Sequence, residues 1–424
     1  MVRARALAVL RGVLNSPQAR DFLALLSLLA RERPDPEEVA TVSGRLWAAL
    51  AGDSEDLLPD AWQSHLVGRI LGDENPFSLG AERGEANPAV VEQTRRELRV
   101  LRDIFDLDAG ALFALVGERV PELEGLWTPW TLPEPAGELS PRQEVARKLA
   151  AAPNWGACAE LLAGHFARHG AGALGSYRAF RWREGRLVPV ESPDPVRLDE
   201  LVAYERERAP LVENTERLLA GLPTHHALLY GLPGTGKSST VKALANEYAG
   251  DGLRLVELSR GDLARLPQVM DALRDRGPRF IVFVDDLSFE EDEAGYKTLK
   301  ALLEGSVEQP PQNVRLYATS NRRNLVRERF SERDESDDVH ARDTMQEKLS
   351  LAARFGLRVT FPPPDQRRYL KIVAGLARAR GLDIPEETLA ERALLWDRWH
   401  AGRSGRTARQ FVDELEAELT SDRR

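Results

Sequence analysis

The stretch GLPGTGKSST, residues 231–240, constrains this chain more than any other. It follows the apolar run ALLY at 227–230 and precedes a helix-like run. Glycine at 231, 234 and 236 permits backbone dihedrals that a side chain forbids, and lets amide N–H groups turn into a bend. A helix starting at Lys237 adds its N-terminal partial charge to the same place. Gly231-x-x-x-x-Gly236-Lys237-Ser238 is a complete Walker A motif in the strand-to-helix context that the motif requires. The expected phosphate-binding set is Gly231, Leu232, Pro233, Gly234, Thr235, Gly236, Lys237, Ser238 and Ser239, with ATP as the nucleotide. Lys237 is placed to reach the β- and γ-phosphates, and the Ser238 hydroxyl to ligate Mg2+. Only seven lysines occur in 424 residues. The choice of a compact ammonium over the chain's usual guanidinium is therefore informative.

The surroundings of the motif set the fold class. ALLYG, LRLVEL, RFIVFVDD, VRLYATS and LRVTF are nearly continuous apolar runs. Helix-like runs at 237–249, 262–275, 294–304 and 365–380 separate them, with another expected within 324–353. Strands that read as apolar on both faces and alternate with helices predict a parallel α/β sheet. RFIVFVDD ends in Asp285-Asp286, at the strand edge where such sheets bind ligands. Asp285 is the expected Walker B carboxylate, holding the Mg2+ or its waters. Asp286 is the expected catalytic base toward the attacking water, one methylene shorter than a glutamate, with Glu290 and Glu291 one turn on as helpers.

Three later stretches, VRLYATSNRRNL, EKLSLAARFGLRVTFPPPD and GRSGRTARQFVDEL, resemble AAA+ ATPases. Residues from about 190 to 415 look like a bacterial family of stand-alone AAA+ proteins known chiefly as a domain of unknown function. The resemblance implies a five-stranded parallel sheet in the order 5-1-4-3-2, with helices on both faces and a helical lid. By position it makes Asn321 a sensor of the γ-phosphate and Arg406 its partner from the lid, with Arg409 as the alternative. Arg354 matches the place from which such proteins offer an arginine to a neighbouring subunit, with Arg322 and Arg323 as rivals. It therefore implies a homo-oligomer, commonly of six.

The domain plan expected is a mostly helical N-terminal domain at 1–175, a hairpin-like connector at 176–200, the nucleotide-binding domain at 201–364 and the lid at 365–424. The N-terminal half is the expected place for a protein partner. The opening MVRARALAVLRGVL reads as an amphipathic helix and not a signal peptide, because Arg11 interrupts its apolar part. A net charge of −9 gives no general attraction to nucleic acid or anionic membrane. One cysteine excludes a disulfide framework, and a cytoplasmic protein is expected.

Cys158, His165 and His169 share one helix face, a spacing open to a metal but commoner in a packed core. Residues 327–343 read as a solvated mixed-charge segment, with a nucleotide-responsive or partner-contacting loop as the alternative. Trp127 and Trp130 read as packing residues. Two functions follow: an ATPase that remodels a protein partner, or a slowly hydrolysing nucleotide-dependent switch or scaffold.

Overall fold

The computed structural model describes residues 2–53, 56–133, 137–287, 293–304, 310–321, 351–400 and 402–421. Glu290, Glu291, Arg322, Arg323 and the segment 327–343 lie outside them. The chain divides into two compact units. One is Met1–Ser176 with Arg276–Pro278, and the other is Tyr177–Asp275 with Arg279–Arg424.

The first unit is helical: α1 (Pro17–Leu29), α2 (Pro36–Ala51), α3 (Ala61–Gly72), α4 (Pro76–Glu82), α5 (Pro88–Phe105), α6 (Ala109–Arg119), α7 (Pro141–Ala151) and α8 (Ala159–His169). Its starts are written in the sequence. Ser16, Asp35, Asn75, Asn87 and Ser140 each accept a first-turn N–H, and each is followed by proline at the first helical position. That is where proline's missing N–H costs nothing and its fixed φ suits the helix. Phe22 stacks on Trp62 with centroids 3.7 Å apart, inside a continuous apolar core. Trp130 meets Trp47 edge-on at 5.4 Å, and Trp127 stacks on Phe113 at 5.9 Å.

The amphipathic helix expected at the start is corrected to two short pieces, a single helical turn at Val2–Arg5 and a 3-10 helix at Arg11–Asn15. The buried Glu97 carboxylate takes the N–H groups of Ala8, Val9 and Leu10 at 2.8, 3.2 and 2.7 Å. Main chain captured in this way cannot continue a helical ladder. His65 ties three segments: its Nε2 lies 2.8 Å from Ser16 Oγ and its Nδ1 bonds Asp53. Ser16 Oγ also caps α1 by accepting from Ala19 N–H, so this chain of groups serves as a structural clasp. His165 and His169 are buried with rings 4.9 Å apart. Among the described residues no group of three His, Cys, Asp or Glu is arranged to hold a metal ion. Nor is any described helix long and apolar enough to cross a membrane.

The second unit is built on one sheet: β1 (Ala179–Arg183), β2 (Arg186–Pro189), β3 (Ala227–Gly231), β4 (Leu253–Glu257), β5 (Arg279–Val284), β6 (Val314–Ser320) and β7 (Leu357–Phe361). Its order is β2-β1-β4-β5-β6-β3-β7. Numbered from the Walker A strand, the last five run 5-1-4-3-2, as the resemblance implied. The count of five is corrected to seven. The stretch read as a connector at 176–200 supplies two more strands, because β1 pairs in parallel with β4 (Phe180↔Val256) and β2 returns antiparallel along β1. One pleat face carries Ala227, Leu229, Ile281, Phe283, Val359 and Phe361 into the core. The alternate residues Leu228, Phe280, Val282, Leu316 and Ala318 are buried too, which explains the unbroken apolar runs.

Around the sheet lie α9 (Glu205–Leu219), α10 (Lys237–Glu247), α11 (Leu266–Leu273) and α12 (Glu293–Glu304); α13 (Gln366–Ala379), α14 (Glu386–Trp399) and α15 (Gly405–Ser421) form the C-terminal bundle. The stretch LDELVAYERERAPLVENTERLLAG from Leu198 reads as a helix leading into ALLY, but α9 begins only at Glu205, because Ala203 and Tyr204 adopt left-handed φ values of 64° and 63°. From α9, Asn214 brackets His225, donating to its carbonyl at 2.9 Å and accepting its N–H at 3.0 Å. The next residue, His226, uses Nδ1 to accept the Leu316 N–H at 2.9 Å, so its ring completes a strand-edge bond in the neutral form.

Burial, then Arg315 and His225, push the His226 pKa down to about 4. An unfolded chain takes up this proton below about pH 6.5 while the native one does not until about pH 4. Stability present above pH 6.5 is therefore lost as pH falls through that window, by up to about 3 kcal/mol. We expect urea unfolding at pH 7.5 and 4.5 to show this slope, and the neutral acceptor variant His226→Gln to lack His226's share of it.

Candidate functional site

The turn after β3 is forced by close approach. A Cβ on Gly231 would lie 2.1 Å from the Phe361 carbonyl oxygen of β7, and one on Gly234 would meet Ser404 and Arg406 at about 3 Å. Gly234 also has a left-handed φ of 77°. Glycine at both positions is thus required by the strand on one side and the C-terminal bundle on the other. Gly236 caps α10 with φ 89°, and the first-turn amides that follow have no partner within the helix.

Lys237 is 5% exposed. Its Nζ donates to the carbonyls of Gly231 and Leu232 at 2.8 and 2.9 Å and to Asn321 Oδ1 at 3.1 Å. Burial pushes the ammonium pKa down, and the Asp285 and Asp286 carboxylates draw it back up. Three acceptors on three donors keep the ion satisfied. Ser238 Oγ donates to Asp285 Oδ1 at 2.6 Å. Hydroxyl and carboxylate are the oxygen pair that suits a hard, small cation.

Asp285 and Asp286 follow β5 directly. Asp286 takes a left-handed φ of 53°, which aspartate tolerates better than a branched residue. Its Oδ1 accepts from Asn321 Nδ2 at 2.6 Å, and Arg260 Nη1 lies 3.5 Å from its Oδ2. Asn321 thus bridges Lys237 and Asp286 with one carboxamide. Thr319 was not singled out from sequence. Its hydroxyl donates to Asp285 Oδ1 at 2.5 Å and accepts the Asp286 N–H at 2.8 Å. The available signal was a threonine at the end of an apolar strand, two residues before Asn321.

These groups line a cleft of about 520 Å³ that also receives Arg406 and Arg409. The start of α15 closes on the glycine turn, with Gly405 N–H donating to Gly234 O at 2.7 Å. Pro233 to Ser239 line the cleft, whereas Gly231 and Leu232 serve it through their carbonyls. Arg354 is not brought to it. The residue sits half-buried at the end of a helical turn, 351–354, just before β7.

A parallel sheet in this order, a glycine cradle closed by lysine, two acids at the neighbouring strand end and a helical lid define the AAA+ class of P-loop ATPase folds. Residues 175–419 match the family described as "Protein of unknown function (DUF815)". The match covers more than half of the chain, which belongs to that family. Shorter stretches are similar to replication factor C subunits. The Schizosaccharomyces pombe subunit 3 is 28% identical over 148 residues, 34% of this chain and 42% of that protein. The Thermofilum pendens large subunit is 32% identical over 134 residues, 28% of this chain and 32% of that protein. The matched part therefore spans less than half the length of these relatives. The RuvB Holliday junction branch migration motor of Thermotoga maritima aligns over 54% of this chain and 67% of its own, with 18% identity and a TM-score of 0.38.

Thr319→Val keeps shape and removes the hydroxyl. It leaves the Asp286 N–H without its acceptor and Asp285 with Ser238 but not Thr319 as a donor, a loss of about 1–3 kcal/mol. Denaturant unfolding should show that loss, and nucleotide affinity should fall more with magnesium present than in EDTA.

Proposed function

We propose that the second unit binds Mg-ATP and hydrolyses it, and that the protein couples the cycle to remodelling of a protein partner. The observation behind this reading is the convergence of Lys237, Ser238, Asp285, Asp286, Asn321 and Arg406 on one cleft. In the proposed cycle Lys237 leaves its loop carbonyls for the phosphate oxygens, and cradle amides bind the remainder. Ser238 and Asp285 are the residues that would hold magnesium, which neutralises charge on the phosphates when bound. Asp286, once released by Asn321 and Arg260, orients water and takes its proton. Asn321 and Arg406 read the γ-phosphate, and their contacts distinguish ATP from ADP.

Arg354 lies away from its own cleft, which fits a role at a neighbouring subunit's nucleotide in a homo-oligomer, by analogy a ring of six. The first unit is the place proposed for the partner. A net charge of −9 offers no general electrostatic reason for duplex DNA, although the relatives named above are replication factors. A second reading has its own support. Asp286 is short and held by two donors, an arrangement suited to a switch that turns over rarely.

Steady-state phosphate release separates these readings. Lys237→Ala should abolish nucleotide binding in calorimetry. Asp286→Asn should retain binding and lower turnover by roughly 10²-fold or more. Turnover per subunit should fall on dilution, and Arg354→Ala should remove that dependence by holding it at the low value. Stable ATP retention without turnover at every concentration would rule out the remodelling cycle and leave the switch.

A further inference from the structure

Part of the cleft's wall is not built for phosphate. Leu201, Val202, Tyr204, Phe361, Ile372 and Leu376 contribute apolar surface, and Arg208 lines the same cleft. The segment before α9 is held in place there. Tyr204 donates its hydroxyl to Pro362 O at 2.8 Å, and Arg368 sits over its ring at 4.4 Å. Val202 occupies space that Gly375 of α13 leaves open, where a Cβ would come within 2.3 Å of it.

Arg208 is the odd charge in this wall. It is half-buried and donates one N–H to Ala203 O, which the left-handed pair Ala203-Tyr204 turns toward it. The two acids nearest in sequence are committed elsewhere: Glu205 pairs with Lys371 at 2.8 Å and Glu207 with Arg368 at 3.0 Å. Among the described residues Arg208 has no ion pair of its own. Burial lowers its pKa, with Glu205 and Glu207 opposing. A desolvated guanidinium with donors to spare and no carboxylate is costly unless something else accepts from it.

We propose that Arg208 is a specificity-determining residue of the nucleotide site: it donates to a ring-nitrogen acceptor of a purine base seated against the apolar wall. The inference rests on the nucleotide reading of the cleft. Apolar walls alone accept any base, because every base has a flat π face. Discrimination comes from a buried polar group that the wrong ligand leaves unpaired. Arg208 offers only donors, so the base must bring a lone pair where the guanidinium waits.

The test is calorimetry on the full chain with ATP, its 1-deaza, 3-deaza and 7-deaza analogues, and inorganic tripolyphosphate. One of the three analogues should bind the wild type about tenfold more weakly than ATP. Arg208→Ala should weaken ATP by about the same factor and no longer distinguish that analogue, while tripolyphosphate affinity stays unchanged and reports an intact cradle. Arg208→Lys, which keeps the charge but loses the fork, should fall between. Analogue discrimination that survives in Arg208→Ala would overturn the assignment, as would unchanged ATP affinity. A parallel loss of tripolyphosphate would move Arg208 to the phosphates and overturn it equally. A wild type that binds neither ATP nor tripolyphosphate would instead remove the cradle reading on which the inference stands.

Discussion

An ammonium enclosed to 5% exposure needs acceptors on all sides, and the main chain around Lys237 is arranged to provide them. The carbonyls of Gly231 and Leu232 face it from the turn, and Asn321 faces it from the end of β6. That one satisfied ion dictates much else. It requires β3 and β6 to be neighbours, which they are, with Tyr230 opposite Ser320. It brings the Asn321 carboxamide into reach of Asp286, and so joins the ends of β3, β5 and β6. It also explains why a glycine must follow Tyr230: the turn can face the lysine only by pressing its backbone against Phe361. The phosphate cradle and the junction of three strands are the same piece of structure.

How much of this could be read from sequence depended on range. The cradle and the strand ends were legible because each is specified within about ten residues by glycine spacing or an apolar run. The strand order came from resemblance, since no local pattern says that β6 lies between β5 and β3. The hairpin at 179–189 was legible as two strands but not as part of the sheet. Its partner β4 lies some seventy residues on, and nothing in YRAFRW distinguishes a free hairpin from a sheet edge. Thr319 escaped notice because its task depends on the Asp285 carboxylate, which only folding brings near. The late start of α9 escaped for a related reason. Propensity favours helix through LDELVAYERER, and tertiary contacts of Tyr204 with Pro362 and Arg368 override it.

The C-terminal bundle touches the rest of its unit on two sides of the cleft. On one side Gly405 donates to Gly234 at the turn. On the other α13 meets the 202–207 segment through Val202 in the space beside Gly375 and through Arg368 and Lys371 on the two acids of α9. Exposed pairs such as Lys371 with Glu205 contribute little each. The apolar fit and the main-chain bond at Gly234 therefore carry more of the coupling. The bundle also shares one apolar core with the sheet, through Tyr369, Ile372, Val373 and Phe411, so ligand contacts shift it only by as much as they differ between its positions.

That balance limits what a nucleotide can do here. ATP and ADP share the base, the sugar and two phosphates, and contacts that both make equally cannot shift the lid however tight they are. On the proposed function only groups at the terminal phosphate discriminate, and in this chain those are Lys237, Asn321 and the lid arginines. Asn321 is the one that also holds Asp286. On that proposal a carboxamide drawn to a γ-phosphate loosens its bond to the carboxylate, and sensing and release of the proposed base become one movement of one side chain. The short Asp286 strengthens this linkage. With Asn321 on its Oδ1 and Arg260 near its Oδ2, both oxygens are engaged at rest, and on the proposed function one must be freed before the carboxylate can take a proton.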